Sequence, residues 1–160
     1  MSKIAVITGG ESGIGLATAI LLTEHNYKVI VLGLKESPEL KQYNLAFIHC
    51  DVSNSKNVDQ AISQVVETYG GIDCLINNAG VLSYGTAVDL SESEWDHVMA
   101  VNVKGPFLCA KYTIPHMNDN AVIVNVASVQ SFVAQPYVAA YATSKAAMLG
   151  LTRSIAIDFS

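Results

Sequence analysis

Ser128, Tyr141 and Lys145 have the residue types and spacing for proton chemistry. Tyr141 and Lys145 stand four residues apart, so on a helix they share one face. A free phenol titrates near pH ~10 and is a poor acid or base at neutral pH. An ammonium group held beside it favours the phenolate and turns it into a usable proton carrier. Ser128, thirteen residues before Tyr141, follows an apolar run and can hydrogen-bond a reacting oxygen as charge develops on it. A Tyr-x-x-x-Lys on a helix often arises by chance, and a serine after a strand is commonplace. The elements that position them must decide.

The stretch from Lys3 to Leu22 organises those elements. Ile4, Val6 and Ile7 form the short apolar run that a buried parallel strand needs. From Ile14 the period changes, and Ile14, Ala17, Leu21 and Leu22 fall on one helical face. Between the two lie Gly9, Gly10, Gly13 and Gly15, which suit a tight strand-to-helix turn. The helix would point free N–H groups and its positive dipole end at a pyrophosphate above the turn. The plainer reading is an ordinary glycine-rich turn.

Further strands are expected at Lys28–Leu32, Leu45–Cys50, Cys74–Ile76 and Ala121–Val126. Helical spacing of Val58, Ile62, Val65 and Val66 predicts a helix over 56–69, ended by Gly70-Gly71. Ser91-Glu-Ser-Glu94 has the capping-box pattern, and Trp95, Val98 and Met99 behind it read as core. Another helix should run to about Met117, and a last one should open at Tyr141 and carry Met148, Leu149, Thr152, Ile155 and Ala156. Residues 36–44, polar with Pro38, read as a loop or an irregular turn. The β-α alternation predicts one α/β domain over 1–160.

Thr8-Gly-Gly-Glu-Ser-Gly-Ile-Gly15 departs from G-x-G-x-x-G and resembles the T-G-x-x-x-G-I-G cofactor motif of the short-chain dehydrogenase/reductase family. Asn77-Asn-Ala-Gly80 is similar to that family's N-N-A-G motif. Asn102 falls where the family holds a relay water at a helix kink, and Gly105-Pro106 supplies a reason for the kink. Ser128, Tyr141 and Lys145 follow in family order, so the resemblance covers essentially all 160 residues.

The resemblance implies a doubly wound, mostly parallel, Rossmann-like sheet of strand order about 3-2-1-4-5. It implies NAD or NADP as cofactor and no metal. Gly9, Glu11, Ser12, Gly13, Ile14 and Gly15 would form the phosphate turn. Gly33 and Lys35 would lie at the adenosine ribose, Asp51 and Val52 at the adenine, and Asn78, Ala79 and Gly80 beneath the cofactor. Tyr141 and Lys145 would adjoin the nicotinamide ribose. Asp51 alternatively reads as a turn residue, with Ser53 and Ser55 available to cap the next helix. The second strand ends at Gly33-Leu34-Lys35 without the carboxylate of an NAD site, while Lys35 could pair with a 2′-phosphate. Lys35 reads nearly as well as a solvated loop lysine, and Ser12 stands where a basic NADP marker would be. The lean is slightly to NADP.

The implied reaction interconverts a secondary alcohol and a carbonyl by hydride transfer, as in the sugar-dehydrogenase and 3-oxoacyl-reductase branches. The segments Leu82-Ser83-Tyr84 and Val129 to Tyr137 carry no charge, which suits a small neutral substrate. A non-catalytic nucleotide-binding or assembly subunit is the rival reading, and the intact Ser128, Tyr141 and Lys145 argue against it.

Charged residues are only 14% of the chain against a usual share of about 25%, which points to surface covered by partner subunits or by further chain. A homodimer or homotetramer is implied. The family's domain runs further, with later strands, a proline-glycine turn and a substrate-covering loop, so this chain reads as C-terminally incomplete. A net charge of −5 with scattered lysines and arginines gives no support for nucleic acid as a partner. No apolar run approaches a membrane span, and Met1-Ser2-Lys3 leads straight into the first strand without a secretory signal. Cys50, Cys74 and Cys109 lack metal spacing and read as buried thiols of a cytoplasmic protein.

Overall fold

In the computed structural model, which describes residues 2–159, five parallel strands form one sheet in the order β3-β2-β1-β4-β5. The strands are β1 Lys3–Thr8, β2 Tyr27–Gly33, β3 Ala46–His49, β4 Ile72–Asn77 and β5 Met117–Asn125. The helices are α1 Gly13–Glu24, α2 Pro38–Gln42, α3 Ser55–Tyr69, α4 Glu92–Met99, α5 Gly105–Thr113 and α6 Ala139–Asp158. Met1 and Ser160 lie outside the described residues, so the reading of the extreme N-terminus has no structural counterpart here.

The alternation of β1 explains the layers. Ile4 and Val6 enter one buried cluster with Val58, Ile62 and Val65 of α3 and Leu108 and Cys109 of α5. Ala5 and Ile7 face the other side, where Ala19 of α1 and Leu40 of α2 lie. A sheet covered on both faces requires strands that are apolar throughout, and Val29 to Leu32 of β2 are all buried.

Five sequence expectations need correction. The buried face of α1 is Gly15 and Ala19, with Leu16, Ile20 and Leu22 against the sheet, whereas Ile14 and Leu21 are exposed. This helix is apolar almost all round, so periodicity does not single out a face, and the smallest residues take the closest approach. Residues 38–42 are a short helix, because Pro38 at its first turn starts helices as readily as it breaks them. β5 begins at Met117 rather than Ala121, with a register irregularity opposite Ile72 to Cys74. Trp95 is an exposed residue of α4, while Val98 beside it is fully buried. Asn54, not Ser53 or Ser55, caps α3, accepting from the backbone N–H groups of Lys56 and Asn57.

All three cysteines are buried and free. Burial pushes the thiols up, Cys50 to about 11 and Cys109 further, with the neighbouring Asp51 charge adding to the effect at Cys50. Native protein at pH 8 is therefore expected to release no thiolate to Ellman's reagent within minutes, and three after denaturation. Rapid reaction of any one thiol in the folded protein would show that its segment opens.

Candidate active site

The cleft lies over the carboxyl ends of β1 and β4, where the strand order reverses. Thr8 ends β1, and Gly9 turns the chain with a left-handed backbone (φ 63°) while its N–H donates to the Leu32 carbonyl at 2.8 Å. Gly13 is also left-handed (φ 53°) and opens α1. Ser12 precedes the helix without making a side-chain cap. The first N–H groups of α1 therefore have no cap from the Ser12 side chain, which leaves them available to an anion. A Cβ on Gly15 would run into the Gly9 carbonyl, and one on Gly9 would come within 2.9 Å of Ala79 Cα. At these two positions the turn has room for backbone only.

Asn77, Asn78 and Ala79 bind the strand ends together. Asn78 Nδ2 donates to the carbonyls of Thr8 (3.1 Å) and Gly9 (2.9 Å), and the N–H groups of Asn78 and Ala79 both donate to Thr8 Oγ1. Asn77 Nδ2 donates to Asn125 Oδ1 at 2.8 Å, joining β4 to β5. Asn125 in turn donates to Thr152 of α6 at 2.9 Å. Thr8 and Asn125, which hold these strand ends, were passed over in the sequence reading. The signal for Asn125 was present, since an amide inside an apolar strand must find partners.

Asn102 sits in a π-helical turn, Ala100–Lys104, between α4 and α5. Such turns interrupt α-helices at functional sites more than elsewhere. The kink expected at Gly105-Pro106 takes this form. Pro106 has no N–H to return to the Asn102 carbonyl in an α-helical pattern. The Asn102 side chain is buried and hydrogen-bonded at both ends, accepting from Val81 N–H (2.8 Å) and donating to the Val81 carbonyl (2.9 Å) and Ser144 Oγ (3.0 Å). Ser144 donates onward to the Tyr141 carbonyl at 2.7 Å. Ser144, unnoticed in the sequence, thus links the Asn102 turn to the helix that carries Tyr141.

Ser128, Tyr141 and Lys145 line one cavity of about 410 Å³. Lys145 Nζ donates to the Val126 carbonyl at 2.7 Å and lies 5.8 Å from the centre of the Tyr141 ring. Burial lowers the Lys145 pKa from the ordinary lysine value. Ser128 Oγ accepts from the Gln130 N–H, and Ser131 Oγ donates to the Lys145 carbonyl at 2.8 Å, fixing the loop against α6. Gly80 keeps the floor clear: a Cβ there would stand 3.4 Å from Asn102 Oδ1 and 3.7 Å from Lys145 Nζ.

A second cavity, of about 440 Å³, shares Ile14, Asn78, Gly80 and Val81 with the first. Gly9, Glu11, Ser12, Gly13, Gly33, Asp51, Val52 and Ala79 line it. Both volumes fall within the ~300–1,000 Å³ usual for ligand pockets. The exposed Ile14 is where the two meet. Asp51 makes the turn bonds that the sequence allowed, its Oδ1 accepting from the Ser53 N–H and hydroxyl, and it also lines the cavity. Gly15 lies behind the wall as packing, and Lys35 is exposed and outside both linings.

These features define a doubly wound α/β protein with its ligand cleft at the topological switch point. The chain belongs to the short chain dehydrogenase family, whose profile matches residues 3–160. It is 41% identical to an uncharacterised oxidoreductase of Thermotoga maritima, with 98% of this chain and 66% of that protein aligned. The ligand-free aldohexose dehydrogenase of Thermoplasma acidophilum superposes with a TM-score of 0.95 at 38% identity, over 99% of this chain and 62% of the other. A short chain dehydrogenase/reductase of Burkholderia phymatum in complex with NAD gives 0.95 at 31% identity, over 99% and 60%. The chain thus spans somewhat under two thirds of the length of these relatives.

Proposed function

We infer that this protein is an NAD(P)-dependent oxidoreductase that interconverts a secondary alcohol and a carbonyl. The observation that carries the reading is a pair of adjoining cavities with four lining residues in common, one at the glycine cradle and the other at Ser128, Tyr141 and Lys145. A nicotinamide dinucleotide fits the residues present: the turn at Gly9 and Gly15 admits no Cβ, and the first N–H groups of α1 lack side-chain caps. When bound, it supplies the hydride donor or acceptor.

The chain's own residues supply the rest. Tyr141 gives or takes the hydroxyl proton, with the Lys145 ammonium 5.8 Å from the centre of its ring. Ser128 hydrogen-bonds the reacting oxygen as charge develops. Lys145 also holds the nicotinamide ribose. Asn102, its side-chain amide held by Val81 and Ser144, positions the relay to solvent.

Among the described residues Lys145 is the one charged residue lining the catalytic cavity, which suits a small neutral alcohol such as a sugar rather than a di-acid. Exposed Phe107 on α5 and Ile157 on α6 fit burial in a homodimer or homotetramer. Buried free thiols fit a reducing compartment, the cytoplasm. No described helix is long and apolar enough to cross a membrane.

The test is a titration of NADH and NADPH fluorescence, followed by turnover on a panel of neutral sugars and secondary alcohols. Saturable binding with turnover of at least one alcohol is expected. Binding without turnover across the panel would favour the assembly-subunit reading instead.

A further inference from the structure

The motif glycines are accounted for, but the glutamate among them is not. Glu11 occupies the second variable position of the turn, and its carboxylate leans across the cleft to the end of β2. A Cβ on Gly33 would lie 2.7 Å from Glu11 Cδ, so any side chain there would evict the carboxylate. Glu11 Oε2 is buried yet has no hydrogen-bond partner among the described residues. A buried carboxylate oxygen without a donor costs free energy, and that cost is relieved when a ligand brings one.

The place matters. In doubly wound folds the end of β2 faces the adenosine ribose, and a carboxylate there holds the 2′-hydroxyl of NAD. This chain has no carboxylate on β2 itself. The geometry points to Glu11 as its replacement, supplied from the opposite wall: its carboxylate accepts hydrogen bonds from the adenosine ribose hydroxyls and makes the site select NAD over NADP. This rests on the dinucleotide reading of the cleft and reverses the lean to NADP drawn from Gly33 and Lys35. Glu11 and Asp51 both line the adenosine end, and no lysine or arginine does. A 2′-phosphate carries close to two negative charges and would enter beside two carboxylates, with His97 the one basic side chain among the described residues of the lining and no lysine or arginine to pair with it. Lys35, the residue that favoured NADP, is exposed and outside the lining.

Calorimetric dissociation constants for NAD and NADP test this in the wild-type protein, Glu11→Gln and Glu11→Ala. Wild type should bind NAD at least about tenfold more tightly than NADP, the scale of one charge-assisted hydrogen bond. Glu11→Gln keeps the shape and removes the charge, so the ratio should fall to within about threefold, mainly through tighter NADP binding. Glu11→Ala should weaken NAD without rescuing a preference for it. A wild-type preference for NADP, or a ratio unmoved by Glu11→Gln, would overturn the role of Glu11 while leaving the cleft a dinucleotide site. Failure of every variant and the wild type to bind either dinucleotide would overturn the cleft reading and this proposal with it.

Discussion

Replacing Tyr141 by phenylalanine should lower kcat by about 10²–10⁴-fold while the dissociation constant of the dinucleotide moves less than about threefold. The phenol is the one side-chain hydroxyl with an ionisable proton in the catalytic cavity beside the Lys145 ammonium. Its loss removes the proton carrier but not the scaffold. The bond that ties Tyr141 to its neighbours runs through the backbone, from Ser144 Oγ to the Tyr141 carbonyl at 2.7 Å. The thermal midpoint should therefore stay close to that of the wild type, which separates a chemical effect from a folding one. Steady-state turnover, dinucleotide titration and calorimetric melting on the same preparations make the comparison. A phenylalanine variant that keeps more than about a tenth of the rate would remove Tyr141 from the proton step.

The sheet was readable because each strand is a compact apolar run bounded by turn residues, and alternation with helices leaves few topologies. Motif spacing likewise placed Asn78, Gly80, Ser128, Tyr141 and Lys145, which line one cavity. What stayed hidden depends on approach rather than pattern. In α1, Gly15 and Ala19 face the sheet because the helix comes too close for Leu21, and no periodicity in an all-apolar helix reveals that. Glu11 and Gly33 are distant in sequence, and only their contact shows that one makes room for the other. The π-turn at Asn102 was visible only as an asparagine and a Gly-Pro pair, without the hydrogen bonds to Val81 that give it shape.

The motif glycines serve different physical ends, and substitutions at Gly13 and Gly15 should separate them. Around Gly13 a Cβ would meet nothing within 4 Å, and its requirement is the left-handed backbone at φ 53°. Alanine there should cost about 1 kcal/mol, and asparagine, which tolerates that region, noticeably less. Gly15 is the reverse case. Its backbone is ordinary helix, but a Cβ would strike the Gly9 carbonyl and stand 2.5 Å from Asn78 Nδ2 and 3.0 Å from Gly10 Cα. Those atoms belong to the backbone and to an amide already bonded to Thr8 and Gly9, so none can yield cheaply. Gly15→Ala must push the start of α1 away from the turn. Overpacking of this kind costs about 1–3 kcal/mol, a fall in thermal midpoint of roughly 2–4 °C per kcal/mol in a domain of this size. The displaced helix also moves its free N–H groups off the pyrophosphate position, so dinucleotide affinity should drop by about a hundredfold. Gly13→Asn should bind within about tenfold of the wild type, because its N–H groups stay where they are. Melting curves and dinucleotide titrations of the variants decide the matter. If Gly15→Ala binds as well as Gly13→Asn, the close approach of α1 to the β1 turn is not what fixes the cradle.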